Sequence, residues 1–304
     1  MSRKRGDRKD GVWLKELDGF HYIMPYLMPS RCDAEVYIEK QLDVTQLMKF
    51  LEEKNAPGAP HKTTIFHVFV TAVAKVLCER LLLNRFVAGK RLYLRNKKTM
   101  AFVVRRQFTD SAEESLMVME VDGGTTLEKV SRQILGDADK IRKADGNDIN
   151  DLLDKLKKMP RWLMRFIMCI FRFLDFHGRM PESICRGDSN YATVLLSNLG
   201  SIGSDAAYHH LNDYGTNSIV ITIGKLHKAP VEDEEGNVTM RSVINIGVTA
   251  DERIADGFYF ARSIQLLEDI LQRPEQLELP IGGEGASGAA EVEGNGEEIK
   301  EAIG

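Results

Sequence analysis

The chain has 304 residues, 43% of them hydrophobic and 28% charged, enough to bury a sizeable core in one large domain or two small ones. With 41 basic and 45 acidic residues the net charge is only −4, so the concentrated basic surface that nucleic acid requires is not expected. Cys32, Cys78, Cys169 and Cys185 lack the paired spacing of a disulfide framework or zinc cluster, which suits a reducing, cytoplasmic setting with no metal.

Residues 1–19 are basic at the start, then mixed, and are expected to lie loosely on the surface until Trp13 and Leu14 find a groove. No apolar run follows them, so no secretory leader is expected. From Ala34 the chain alternates, with Ala34, Val36 and Ile38 to one side and Glu35, Tyr37 and Glu39 to the other, which predicts a half-buried strand. Asp43 can cap a helix through Leu47, Phe50 and Leu51, ended by the Pro57–Pro60 turn. Thr63 or Thr64 opens a helix to about Leu82 that is apolar nearly all round and should be central.

Met100 to Val104 and Leu116 to Val121 read as strands, and Thr126 begins a helix through Val130 and Ile134. Residues 137–151, charged and poor in large apolar side chains, read as a surface connection. In residues 159–178, Trp162, Phe166, Ile170, Phe173 and Leu174 share one helical face, and Arg161, Arg165 and Arg172 another. Those arginines exclude a membrane-spanning helix. The pattern favours a core or subunit-interface helix, with buried free thiols at Cys78 and Cys169, over an acyl-chain pocket or a helix resting on a membrane surface.

Three strand-like runs follow, Tyr191–Ser197, Ser218–Ile223 and Val238–Thr249, then an amphipathic helix ending near Arg273-Pro274. Residues 282–304 hold seven glycines and six glutamates and are expected to be disordered. The economical division is a basic N-terminus at 1–19, one α+β domain at 20–280 with an unusual helical segment at 140–190, and a tail at 281–304.

Two segments carry a family resemblance. Leu196-Ser197-Asn198-Leu199-Gly200-Ser201-Ile202-Gly203 resembles a strand end of the dihydrolipoyl acyltransferases. Asp251-Glu252-Arg253-Ile254-Ala255-Asp256-Gly257-Phe258 resembles the Asp-His-Arg-x-x-Asp-Gly motif of the same family. Weaker similarity covers most of residues 30–275 but not 140–190. On these residues the chain is similar to the 2-oxo acid dehydrogenase acyltransferase catalytic domains of the chloramphenicol acetyltransferase-like superfamily. The resemblance implies a two-layer α+β fold with a mixed sheet and packed helices.

It also implies chemistry. In the family a histidine takes a thiol proton, the thiolate attacks an acyl thioester, and a serine hydroxyl donates to the tetrahedral oxyanion. Carried over by position, Ser197 is the oxyanion donor and Asp256 supports the loop. By its own sequence context Asp256 reads equally as the cap of the helix starting at Gly257. Glu252 stands where the family has histidine. Moving a proton from a thiol to histidine costs about 2.7 kcal/mol, and to an ordinary glutamate about 5.7 kcal/mol. Burial raises a carboxylate by several units, so Glu252 can serve as base only where it is desolvated. His209 and His210, a few residues past the Ser197 strand, are candidates for a displaced base.

The resemblance further implies a homotrimer with its site between subunits. Coenzyme A or acyl-coenzyme A would be substrate rather than resident cofactor, with a small-molecule or lipoyl-type acceptor. The alternative is a catalytically inactive trimeric scaffold or acyl-coenzyme A binder.

Overall fold

In this computed structural model, residues 6–105, 114–143, 157, 159–185, 187–232 and 235–281 are described. The expected tail at 282–304 and all of 144–156 lie outside them.

The strands are β1 (Gly11–Trp13), β2 (Glu35–Asp43), β3 (Arg85–Ala88), β4 (Arg91–Arg95), β5 (Lys98–Arg105), β6 (Glu114–Val121), β7 (Val194–Asn198), β8 (Ile219–Glu232) and β9 (Val238–Asp251). The helices are α1 (Gly19–Leu27), α2 (Thr45–Lys54), α3 (Ile65–Glu79), α4 (Leu127–Lys143), α5 (Arg161–Phe176), α6 (Glu182–Cys185) and α7 (Gly257–Gln272). Among the described residues β2, β9, β8, β7, β5 and β6 form one six-stranded sheet in that order. The pairs β5–β7 and β7–β8 are parallel and the rest antiparallel, so the sheet is mixed. Helices α2, α3, α4 and α7 share one apolar core with its inner face. This is the expected two-layer α+β arrangement.

The core is organised on α3. Every residue from His67 to Leu77 is buried, because this helix packs on α4, α7 and the sheet at once. Lys75 interrupts the apolar run, yet its ammonium donates to the carbonyl oxygens of Gln276 and Leu279. A buried cation thus ties the end of the domain, the 3-10 turn Pro274–Glu278, onto its central helix. The helix closes at Glu79, three residues before the expected end, and a second turn, Leu81–Asn84, leads into β3.

Several expectations need correction. Residues 6–19 are not loose: β1 pairs with β4, and Arg8 is buried against Asp10 and Asp175. The β3–β4 hairpin went unpredicted because its turn is Gly89-Lys90, with φ of +56° and +58°. Two left-handed residues suit the twist of a two-residue hairpin, but lysine is a poor signal for one. Helix α4 runs on to Lys143 through the start of the supposed connection at 137–151. No residue of α5 is buried, and Cys169 is exposed, so that helix does not belong to the core. Its periodicity predicted the helix correctly, but amphipathicity does not reveal what covers an apolar face.

Thr64 caps α3 with a reciprocal pair: Thr64 Oγ1 accepts from the His67 amide (3.3 Å), and His67 Nδ1 accepts from the Thr64 amide (3.4 Å). Accepting requires neutral imidazole, and burial pushes His67 down to about 4. The unfolded chain therefore binds this proton more tightly than the folded one. Stability should be full above about pH 6.5 and fall by roughly 2–3 kcal/mol as the pH drops toward 4. Urea unfolding across that range should show the slope, and His67→Gln, which keeps the cap acceptor without titrating, should flatten it.

Candidate functional site

Ser197 lies near the C-terminal end of β7. Val194 and Leu196 are buried in the core, and alternation turns Ser197 to the opposite, outer face. It pairs with Thr222 on β8 and lies one residue past the last β5 pairing, at Leu196. The residues after it have evident local duties. Asn198 Oδ1 accepts from the Ser201 amide (3.2 Å), capping the 3-10 turn Leu199–Ile202. Gly200 passes so close to β8 that a Cβ there would sit 2.5 Å from the Gly224 carbonyl oxygen. The Ser197 hydroxyl has no hydrogen-bond partner among the described residues.

Residues 203–211 then cross the outer face of the sheet as a strap. The Lys225 amide donates to Ser204 O (2.9 Å) at a register shift in β8, and Thr222 Oγ1 donates to Ala207 O. Tyr208 stacks edge-on against Tyr37 with centroids 5.3 Å apart, and the Leu211 amide donates to the Glu35 carboxylate. His209 and His210 are exposed on this strap. Their Nδ1 atoms face the carbonyl oxygens of His210 (2.9 Å) and Leu211 (3.2 Å). A ring held by N–H donation from Nδ1 leaves Nε2 free to accept a proton.

The second motif turns the chain from β9 into α7. Asp251 is fully buried, and Arg253, only 2% exposed, grips it with two bonds: Nε to Oδ1 and Nη2 to Oδ2, both 2.7 Å. Arg253 Nη1 also reaches Met28 O (2.8 Å). Arg31, likewise buried, stands 3.7 Å from Asp251 and donates to the carbonyl oxygens of Asn212 and Val87. Burial lowers the Arg31 pKa, and the Asp251 charge opposes that shift. Asp213 accepts from Ser30 Oγ (2.8 Å) and the Arg31 amide (2.7 Å). Burial alone would raise its pKa, but these hydrogen bonds and the Arg31 charge leave it lowered. Ile254 and Ala255 are buried in the core, and Asp256 caps α7 by accepting from the Tyr259 amide (2.7 Å). Arg253 therefore pairs with Asp251, not Asp256, and Asp256 acts locally as the helix cap.

Glu252 is different. It is exposed, its amide donates to Ala34 O (2.9 Å), and its carboxylate has no partner among the described residues. The desolvation its role as base demands is not supplied by its own chain. Nor does the fold bring it to Ser197. The register runs Ser197–Thr222–Gly247, and Glu252 lies five residues further on, one past the end of β9. At ~4.8 Å per strand and ~3.3 Å per residue the two are roughly 19 Å apart. His209 and His210 end up on the Glu252 side, since the strap after them is anchored on Glu35, the partner of Asp251. A cavity of about 650 Å³ lies elsewhere, among Arg8, Asp10, Arg95, Lys97 and Tyr191, and no candidate catalytic residue lines it.

Residues 182–279, which contain both motifs, match the family model described as 2-oxoacid dehydrogenases acyltransferase (catalytic domain). The chain is a homologue of the 2-oxo acid dehydrogenase acyltransferases. It is 31% identical over 101 residues to the lipoamide acyltransferase component of the mitochondrial branched-chain alpha-keto acid dehydrogenase complex of Arabidopsis thaliana, covering 33% of this chain and 20% of that protein. It is 22% identical over 237 residues to the corresponding component of Bacillus subtilis (strain 168), covering 76% and 45%. These matches span less than half the length of either relative. A dihydrolipoamide acetyltransferase of Azotobacter vinelandii, in which a serine, a histidine and an asparagine were investigated for roles in catalysis, has the same fold. Its TM-score is 0.57 at 19% identity, covering 88% of this chain and 94% of that one.

Sequence reasoning placed the motifs of this acyltransferase homologue but missed Arg31 and Asp213, whose only signal was a polar cluster before β2 and after the strap. Breaking a buried, hydrogen-bonded ion pair by removing one charge costs about 3–5 kcal/mol. Asp251→Asn should lower the unfolding free energy by about that amount in urea titration. A loss under about 1 kcal/mol would show that the β9–α7 corner stands without the pair.

Proposed function

We propose that the chain is a coenzyme A-dependent acyltransferase that moves an acyl group between a thioester and a second acceptor, through a site shared between subunits of a homotrimer. The observation that carries this reading is the division of each motif. Asn198, Gly200, Asp251, Arg253, Ile254, Ala255 and Asp256 are each accounted for by capping, close approach, ion pairing or core packing. The Ser197 hydroxyl and the Glu252 carboxylate have no such duty, and they sit at the two positions where the family has its oxyanion donor and its base.

In this mechanism the base accepts the proton of an attacking thiol, and the thiolate adds to the thioester carbonyl. The Ser197 hydroxyl donates to the oxyanion so formed. Collapse expels the second thiolate, which takes the proton back from the base. The bonds balance as a thioester exchange, with no oxidant and no metal. Because Ser197 and Glu252 are far apart in one chain, the reacting pair must come from two chains. An adjoining subunit can also supply the burial that lifts a carboxylate toward the thiol range. His209 or His210, with Nε2 open, is the alternative base in the same region.

A second reading, a non-catalytic trimer that binds acyl-coenzyme A, is favoured by the glutamate at the histidine position and by its exposure. Release of free thiol from acyl-coenzyme A separates the two. If the protein is a catalyst, Ser197→Ala should lower kcat by roughly 10²–10³ while sparing binding. Glu252→Gln should abolish turnover, because it keeps the shape and removes proton acceptance. A fully active Glu252→Gln beside an inactive His209→Gln or His210→Gln would move the base to the strap. No turnover by the unmodified protein would support the binder.

Assembly is checked separately. Light scattering should give about 100 kDa for a trimer of 34.3 kDa subunits. A stable monomer at working concentration would leave Ser197 and Glu252 permanently apart and exclude the shared site.

A further inference from the structure

Helix α5 is not consumed by the fold. It is fixed at its C-terminal end, where Arg8 Nη1 donates to Asp175 O (2.6 Å) and Tyr191 donates to Asp175 Oδ1 (3.2 Å). There, too, the Phe176 carbonyl presses on Gly89. Along one face Trp162 is 70% exposed, Phe166 59%, Ile170 40% and Phe173 57%. A surface helix of a water-soluble domain turns such a stripe inward. Beside it Arg161, Arg165 and Arg172 are exposed, and none is ion-paired among the described residues. The one acidic residue of the helix, Asp175, is turned toward Arg8 and Tyr191.

A second exposed apolar face adjoins it. On α1, Phe20, Tyr22, Ile23, Tyr26 and Leu27 are between 46% and 65% exposed. Helices α1 and α5 flank the same turn: Gly89 abuts the end of α5, and Lys90 Nζ stands 5.1 Å over the Tyr26 ring. Exposed aromatic side chains and cations are thus gathered around one corner, with Asp18, the cap of α1, already engaged by His21.

Charge decides what covers this face. A second copy meeting it through the same face would set arginine rows against each other with no exposed acid of α5 between them; a trimer pairs different faces, and that contact is read by the light-scattering arm of the test below. An anionic lipid surface offers both halves of what is exposed, hydrocarbon for the rings and phosphate for the guanidinium groups. The helix has 16 residues and no helix among the described residues can cross a membrane, so the contact lies in the interface plane. We propose that α5, with α1 beside it, docks the chain on an anionic phospholipid surface, with Trp162, Phe166 and Phe173 in the acyl boundary and Arg161, Arg165 and Arg172 on the headgroups. This does not depend on the acyltransferase reading.

The test is co-sedimentation of the full chain with phosphatidylcholine vesicles, with and without phosphatidylglycerol. Binding should require the anionic lipid, weaken as salt is added, and shift Trp162 emission to the blue in a way that Trp162→Phe removes. Replacing Arg161, Arg165 and Arg172 with Gln should weaken binding about fivefold per charge, roughly 100-fold in all. Phe166→Ser with Phe173→Ser should abolish it, with circular dichroism unchanged because these side chains are exposed. Failure to sediment with anionic vesicles overturns the proposal, as does binding that survives both sets of substitutions. If the phenylalanine variant instead changes the light-scattering mass while the unmodified chain ignores vesicles, the face is a contact between copies and the proposal is likewise lost.

Discussion

A single buried carboxylate holds the site end of this molecule together. Asp251, at the last pairing of β9, has no access to water and is neutralised by Arg253 two residues later and by Arg31 from before β2. Through those two arginines it also gathers the carbonyls of Met28, Val87 and Asn212. Four stretches of chain that are distant in sequence, around residues 28–31, 87, 212 and 251–253, thereby meet at one charge. An ion left alone in such a setting would cost several kcal/mol, so the geometry of the turn from β9 into α7 is over-determined. Glu252 sits inside that turn and is carried to the surface by it.

The same corner explains how the motifs divide between structure and chemistry. In a motif such as Asp-x-Arg-x-x-Asp-Gly, three named residues are here an ion pair and a helix cap, and the position between the ion-pair partners faces outward. In Ser-Asn-Leu-Gly, the asparagine caps a turn and the glycine admits β8, while the serine hydroxyl stands free on the outer face. The fold positions both free groups rigidly, on a strand end and on a locked turn. They stand roughly 19 Å apart, at the ends of strands two apart in the sheet.

Helix α5 follows a different logic from the rest of the domain. The core closes without it, around α3 and the inner face of the sheet, and its periodicity serves no buried surface. Its last turn is held by Arg8, Gly89 and Tyr191, and its aromatic and basic faces are presented outward.

The sequence by itself determined the local elements whose signals are short-range. The alternation after Ala34, the all-apolar run of α3, the Thr64 cap and the Asp256 cap each follow from contacts within a few residues, and the structure has all of them. It also placed the two motifs that the family model covers, since residue type and spacing are written there directly. Only the tertiary structure decided that Arg253 binds Asp251 and that Arg31 joins them, because the choice among nearby carboxylates depends on which one is stripped of water. Only it showed that the 3-10 turn at Pro274–Glu278 is held by a lysine in the middle of an apolar helix. And only it separated Ser197 from Glu252 and left α5 uncovered, since the distance between two strand ends, and what lies against a helix face, are set by sheet order and packing, which no local pattern contains.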